Sequence, residues 1–469
     1  MRSSSLSMSV MAALFAAPNV QAHIDETPDI IQTTGTPDAW QRFNDWSIGD
    51  VIFPNIHLHG VGGFSTGDPA SLSSGGHDPN REAFSGQAIE PSISVQTEYF
   101  EAFTNYLFFQ DSGGDWNGEL EELFGKIVNL PGGFEIKGGQ YLARFGSINS
   151  SHLHAWDFVD AELPVSRFLG DDGLIMRGVE VSWNLPLDID PGLSAVATLG
   201  FGNTRPHDHD HGAHGHGGDH DDDHGGHDDH DDHDDHGHGG GSLFEGEDGN
   251  LSENIITARM VARYRFSDFH QVTGGISYAG GDNEFGRTTH IVGLDAEYLW
   301  RENGLESGGR AFRWRNELMW RRVNASGPAG GVGVGMGGHD HDDHDDHDDH
   351  DDHDDHDDHD DHDDEGGAGG GAGGTARGTY DELGFYTTAT YTWNERLDTS
   401  LRLSWLEGVN ELGLDERFRV SPAISYWFDN ERRVGVRAQY NFDSFADRSD
   451  EHSVWFQFNM VLGSLNEVR

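Results

Sequence analysis

The stretch NIITARMVARYRF, residues Asn254–Phe266, alternates along its whole length. Ile256, Ala258, Met260, Ala262, Tyr264 and Phe266 fall on one face, and Thr257, Arg259, Arg263 and Arg265 on the other. A period of two belongs to the β-strand, whose successive side chains point to opposite sides. The same pattern recurs in AFRWRNELMWRR (Ala311–Arg322), RVGVRAQYNF (Arg433–Phe442) and SVWFQFNMVL (Ser453–Leu462). In each, aromatic and aliphatic side chains face one way and Arg, Glu, Gln or Asn the other. A soluble sandwich buries the apolar face, whereas a membrane barrel turns it to lipid and wets the polar face. Alternation alone does not separate the two. Tryptophans near strand ends (Trp300, Trp320, Trp393, Trp405 and Trp427) fit the aromatic girdle of a membrane barrel.

Loop lengths discriminate better. Sixteen alternating segments begin near Pro54, Gln87, Tyr99, Leu120, Gly132, Leu174, Gly192, Asn254, His270, Arg287, Arg310, Thr379, Arg396, Arg417, Glu431 and His452. Connections after even-numbered segments are short, as at Leu130-Pro131, Asn394-Glu395 and Asp429-Asn430. Every long connection follows an odd one: Phe64–Gly86, Phe145–Gly173, Thr204–Glu253 and Asn324–Ala376. Short periplasmic turns and long external loops are the rule for outer-membrane barrels, and a sandwich has no reason to sort its loops this way. The sequence therefore predicts an all-β fold, a transmembrane antiparallel up-and-down β-barrel of about 16 strands with long disordered external loops.

A barrel of this size leaves an aqueous channel. Inward-facing Arg259, Arg263, Arg313, Arg315, Arg402, Arg417, Arg419 and Arg437 are expected to line it, with Glu180 and Glu317 opposing them. The plainer role for these arginines, solvating the lumen and pairing with acids, is preferred to a specific substrate site.

The 469-residue chain carries a formal net charge of −54, yet roughly a third of its acids sit in His207–His238 and His339–Glu365. So acidic a chain is a poor partner for nucleic acid, which needs clustered Lys and Arg. It has no cysteine, which excludes disulfides and thiolate metal sites. Residues 1–22 read as a signal peptide: Arg2, the short apolar run Met8–Pro18, and Val20-Gln21-Ala22 before the cut. That run is shorter than the roughly 20 residues a membrane helix needs, so an N-terminal anchor is the weaker reading. The organisation expected is a periplasmic segment over 23–53, the barrel over 54–463 and a tail over 464–469.

The two acidic tracts hold 21 of the 30 histidines: His207, His209, His211, His214, His216, His220, His224, His227, His230, His233, His236 and His238 in the first, and His339, His341, His344, His347, His350, His353, His356, His359 and His362 in the second. Segments of this composition bury no apolar surface and are expected to stay disordered. Solvation would explain the aspartates but not an imidazole at every third position. Neutral imidazole and carboxylate together suit zinc, nickel, copper and iron, whereas calcium prefers all-oxygen sites. Zinc or another divalent transition metal, loosely bound, is the expected ligand. Protons compete for imidazole, so zinc capture is predicted to fall steeply between about pH 7 and pH 5.5.

Residues Tyr141–Trp183 carry a more specific pattern: Arg144-Phe145-Gly146, Asn149, His152-Leu153-His154, Phe158-Val159-Asp160, Arg167-Phe168-Leu169-Gly170, Asp172-Gly173-Leu174 and Gly178-Val179-Glu180 with Trp183. This stretch resembles the plug-less, zinc-related outer-membrane porins of Gram-negative bacteria, often mislabelled as TonB-dependent receptors. The resemblance implies a barrel, an external location and a link to metal uptake. The receptor label itself fails on size, since those receptors need about 22 strands and a plug. Residues 145–173 are too apolar to lie in water and are expected to fold into the lumen as a constriction. There His152, His154, Asp157 and Asp160 are candidates for a metal relay; pinning the loop to the wall is the favoured simpler role.

Three functions remain open. The first is a channel that captures divalent metal at its mouth for passive uptake. The second is a general or anion-selective porin whose tracts only buffer metal. The third is a surface metal-binding protein anchored by a closed barrel. An enzyme is the least expected class, as no GxSxG or similar nucleophile motif occurs. The partners expected are divalent metal ions, outer-membrane lipid and lipopolysaccharide. The place expected is the outer membrane, with the tracts facing outside.

Overall fold

The computed structural model describes residues 46–187, 189–205, 249–306, 308–328 and 375–465. Residues 1–22, read from the sequence as a signal peptide, most of the N-terminal segment, both histidine tracts and the last four residues lie outside them. The strands are β1 (Ile52–Ser65), β2 (Ala83–Gln96), β3 (Phe100–Gln110), β4 (Trp116–Leu130), β5 (Phe134–Leu142), β6 (Ile175–Asn184), β7 (Leu193–Thr204) and β8 (Leu251–Ser267), followed by β9 (His270–Asn283), β10 (Thr288–Arg301), β11 (Ala311–Pro328), β12 (Thr375–Asn394), β13 (Leu397–Leu406), β14 (Arg417–Trp427), β15 (Val434–Phe445) and β16 (Glu451–Gly463). Each pairs antiparallel with its neighbours in sequence, and β1 closes on β16 from Asn55↔Gly463 to Ser65↔Ser453. The result is a closed sixteen-strand up-and-down barrel, so no strand edge is left open. Among the described residues no helix is long and apolar enough to cross a membrane.

The alternation sorts as a membrane requires. Ile256, Met260, Ile276, Leu294, Leu318, Leu401, Ile424 and Phe456 all point outward and are exposed. Arg259, Glu317, Arg402, Gln439 and Gln457 point inward and are buried. A continuous apolar exterior over a polar interior is the inverse of a soluble protein and marks a barrel surrounded by lipid. Aromatic pairs crowd the short-turn end: Phe134 stacks on Trp183 with centroids 5.6 Å apart, and Tyr391 meets Trp393 edge-on at 4.7 Å. Of the tryptophans expected in the girdle, Trp427 is misplaced. It shares the inward face of β14 with Arg417, Arg419 and Ser425, and its indole N–H donates to Asp398.

Bulges in β2 and β4 break the alternation where it bears on the lumen. On β2, His59 pairs with Ala88 and Gly60 with Gly86, so Gln87 is extra and turns inward beside Ala88. On β4, Asn105 pairs with Glu122 and Tyr106 with Leu120, so Glu121 is extra. A bulge reverses the parity of everything beyond it. Glu122 is therefore joined on the inner face by Glu121 and Glu119, which unbroken alternation would have turned to lipid.

The connections after odd strands all lie at one end of the barrel. The strand ends flanking the tracts, Thr204 with Leu251 and Pro328 with Thr375, are among them. One long connection at this end, residues 143–174, lies inside the barrel.

Candidate functional site

The inner loop leaves β5 through Arg144-Phe145-Gly146. Gly146 is left-handed (φ +61°), and a Cβ there would stand 1.8 Å from Oε1 of Glu317, so only glycine fits. Its apolar side chains then build a core within the lumen. Phe145, Leu163, Phe168 and Leu169 pack with Phe103, Phe124, Met319, Tyr386 and Leu406 of the wall. A one-turn helix, α1 (Pro69–Leu72), sits in the β1–β2 connection. The inner loop carries α2 (Leu163–Leu169), begun by Pro164 in its first turn, ended at Gly170, and packed on β12 and β13.

Towards β11–β15 the loop meets arginines. Asp160 accepts from Arg402 (2.5 Å), Arg419 (2.9 Å), Gln439 (2.6 Å) and Asn441 (2.9 Å). Asp157 pairs with Arg313 and accepts from Thr390. Burial raises the Asp157 carboxyl, but Arg313 and Arg315 outweigh it and leave it at about 2. Arg437 donates to the backbone carbonyls of Phe158 and Trp156. The other arginines on inward faces also have partners: Arg259 with Asp295 (2.7 Å), Arg315 with Glu297 (3.1 Å), and Arg417 and Arg419 with Asp443 (2.9 and 2.7 Å). Arg263 stands half-buried on β8. Glu317 is buried and accepts from Tyr386 (2.7 Å), and Glu180 pairs with Lys137 (2.9 Å).

Towards β1–β4 the loop meets imidazoles and carboxylates. His57 and His59, two apart on β1, face inward together. His154 stacks on His57 with centroids 3.8 Å apart and reaches Oε2 of Glu90 at 3.0 Å. His152 lies between Glu121 (3.0 Å), which the β4 bulge brings inside, and Glu122 (2.8 Å). Burial alone would strip its second proton; the two carboxylates overcome that and hold its pKa well above the ordinary histidine value. The sequence singled out His152, His154, Asp157 and Asp160 together. The structure splits them, placing the two histidines on this side and the two aspartates among the arginines.

One pairing on this side is incomplete. Nδ1 of His59 lies 2.6 Å from Oδ1 of Asn459, an acceptor, so that nitrogen carries the proton and Nε2 keeps its lone pair. Nε2 faces Oε1 of Glu90 across 3.6 Å, and both atoms are buried without a hydrogen bond.

A second group stands nearer the long-loop end. Nε2 of His77 is 3.1 Å from both Glu119 and Asp172. Arg205 takes the other oxygen of each, at 2.7 and 2.5 Å. Burial opposes charge on His77, but Asp172 and Glu119 prevail and its pKa is raised well above normal. One cavity is lined by His77, Asp172 and Glu121, so it joins this group to the lumenal one. Among the described residues, two sets present metal-ligand atoms all within 4.8 Å of one another: Glu90, Glu121 and His152, and His77, Glu119 and Asp172. The remaining described histidines, His270, His290 and His452, pair with Tyr298, Tyr278 and Tyr440 on the outer surface.

His57, His59, His77, Glu90, Glu119, Glu121 and Glu122 were not singled out from the sequence. The legible clue was His57-Leu58-His59, since residues two apart on a strand share a face. The tract histidines, His207–His238 and His339–His362, lie outside the described residues.

No family model matches the chain. An uncharacterized protein of Aquifex aeolicus is 32% identical over 160 residues, which span 34% of this chain and 31% of that protein. Among solved structures, the anion-selective porin from Comamonas acidovorans aligns with TM-score 0.46 at 7% identity, covering 88% of this chain and 99% of the porin. The outer-membrane channel DcaP of Acinetobacter baumannii aligns with TM-score 0.45 at 8% identity, covering 89% and 99%. A loop-deletion mutant of OmpT, an outer membrane protein of Vibrio cholerae, aligns with TM-score 0.42 at 9% identity, covering 87% and 98%.

Proposed function

We propose that this protein is an outer-membrane channel for divalent transition metals, zinc foremost, whose tracts concentrate the cation at the long-loop end for passive entry. One observation carries the reading: the lumen is divided by the inner loop into two chemically different sides. The arginines towards β11–β15 are tied to Asp157, Asp160, Asp443 and backbone carbonyls. The side formed by β1–β4 offers imidazoles and carboxylates from His77 and Glu119 down to Glu90, Glu121 and His152. A bare divalent cation is repelled by free guanidinium charge, and a lane of N and O ligands beside neutralised arginines removes that obstacle. Tracts of this charge enrich cations locally, in a salt-dependent way. Lipid and lipopolysaccharide are the surroundings this reading gives the apolar belt, with the tracts outside.

The inward arginines favour a second reading, an anion-selective porin whose tracts merely hold metal. The reversal potential of the full-length protein in a planar bilayer under a zinc chloride gradient separates the two. A cation-side reversal supports the metal channel, and a chloride-side reversal supports the porin. Absence of any conductance supports a closed barrel that only anchors the tracts.

A further inference from the structure

We infer that the lumen contains a defined inner-sphere site for one borderline divalent metal, centred on Glu90 and begun by Nε2 of His59 and Oε1 of Glu90. This assignment deepens the metal-channel reading and rests on it for its biological meaning.

His59 and Glu90 are almost wholly buried, at 5% and 1% exposure. Buried polar atoms without partners are costly, and here a lone-pair nitrogen faces a carboxylate oxygen with no hydrogen between them. A cation between them satisfies both. Zinc binds imidazole nitrogen at about 2.0–2.1 Å and carboxylate oxygen at about 2.0–2.2 Å, so tetrahedral ligands stand roughly 3.3–3.5 Å apart. The 3.6 Å between Nε2 and Oε1 is close to that spacing. Asn459 already holds Nδ1–H of His59, the outer support that a metal-ligating histidine usually has.

Further ligands are at hand. Glu90, Glu121 and His152 present atoms within 4.8 Å of one another, and His154 touches Glu90 at 3.0 Å. Two carboxylates, Glu90 and Glu121, balance a divalent ion, His59 supplies a neutral nitrogen, and His152 joins as a ligand only by giving up one of the protons it shares with Glu121 and Glu122. This mixed set suits zinc, nickel or copper and disfavours calcium and magnesium, which take oxygen. The metal would tie the inner loop to β1, β2 and β4, strands far from it in sequence.

The test is anomalous diffraction at the zinc edge on crystals of the full-length protein soaked in zinc chloride. A discrete peak between His59 and Glu90 is expected. It should vanish in both His59→Ala and Glu90→Gln and be absent when calcium replaces zinc, measured at the calcium-sensitive wavelength. Should one variant fail to fold, the other decides. A lumen without a zinc peak at saturating zinc overturns the site, as does a peak that survives the variant. A peak in a protein that passes no zinc keeps the site and removes the channel reading; zinc flux without a peak does the reverse.

Discussion

The imidazole of His154 on the inner loop lies flat on that of His57 on β1, with ring centroids 3.8 Å apart. This contact fixes the loop's histidines against the wall strand that carries the other two. Asp160 plays the matching part opposite, so the loop is held across the lumen from both sides.

Asp160 is the loop's main anchor to β13–β15. Asp160→Ala leaves Arg402 and Arg419 buried without that counter-ion, and losing one partner of a buried pair costs about 3–5 kcal/mol. The loop should detach, single-channel conductance should rise, and protease should cut within 143–174. Unchanged conductance together with unchanged protease resistance would count against this anchoring role.

Glu162 gives a pH signature. Burial is the main cause that pushes its carboxyl up to about 7, with Arg402 opposing. The folded value exceeds an unfolded one of about 4.3, so the folded state binds the proton more tightly. Stability is then greatest below the unfolded value and declines as pH rises through about 7. Glu162→Gln should match the parent near pH 4 and unfold at higher denaturant near pH 8, read by tryptophan fluorescence in detergent. Equal midpoints at both pH values would refute it.

Leu294 points outward in the middle of β10 and is 50% exposed. If lipid covers it, Leu294→Arg costs about 2–4 kcal/mol of folding into a bilayer, whereas Leu294→Ala costs less. Folding titrations into phosphatidylcholine vesicles measure this. A harmless arginine at that position would mean that the apolar belt does not face lipid.

The strand count was legible because each strand keeps its alternation over a whole crossing, as Asn254–Phe266 does. Strand ends were less so. β2 and β4 begin earlier than their patterns announce, at Ala83 and Trp116, because the bulges at Gln87 and Glu121 break the period there. The same bulge hid the site, since alternation assigns Glu119 and Glu121 to the lipid side. His152-Leu153-His154 stood out as a pair, but its partners Glu90, Glu121 and Glu122 come from other strands, which no local pattern joins to it. Trp427 looked like a girdle residue by position, yet its register places it beside Asp398 inside the barrel.

The most direct measurement is the rate of zinc entry into vesicles that carry the full-length protein and an internal zinc indicator, compared with calcium entry under the same gradient. Zinc should enter at least tenfold faster than calcium. Replacing the 21 tract histidines by asparagine should slow entry at low micromolar zinc and have little effect at millimolar zinc. Equal rates for the two ions, or zinc entry indifferent to the tracts at every concentration, would contradict a metal-gathering channel.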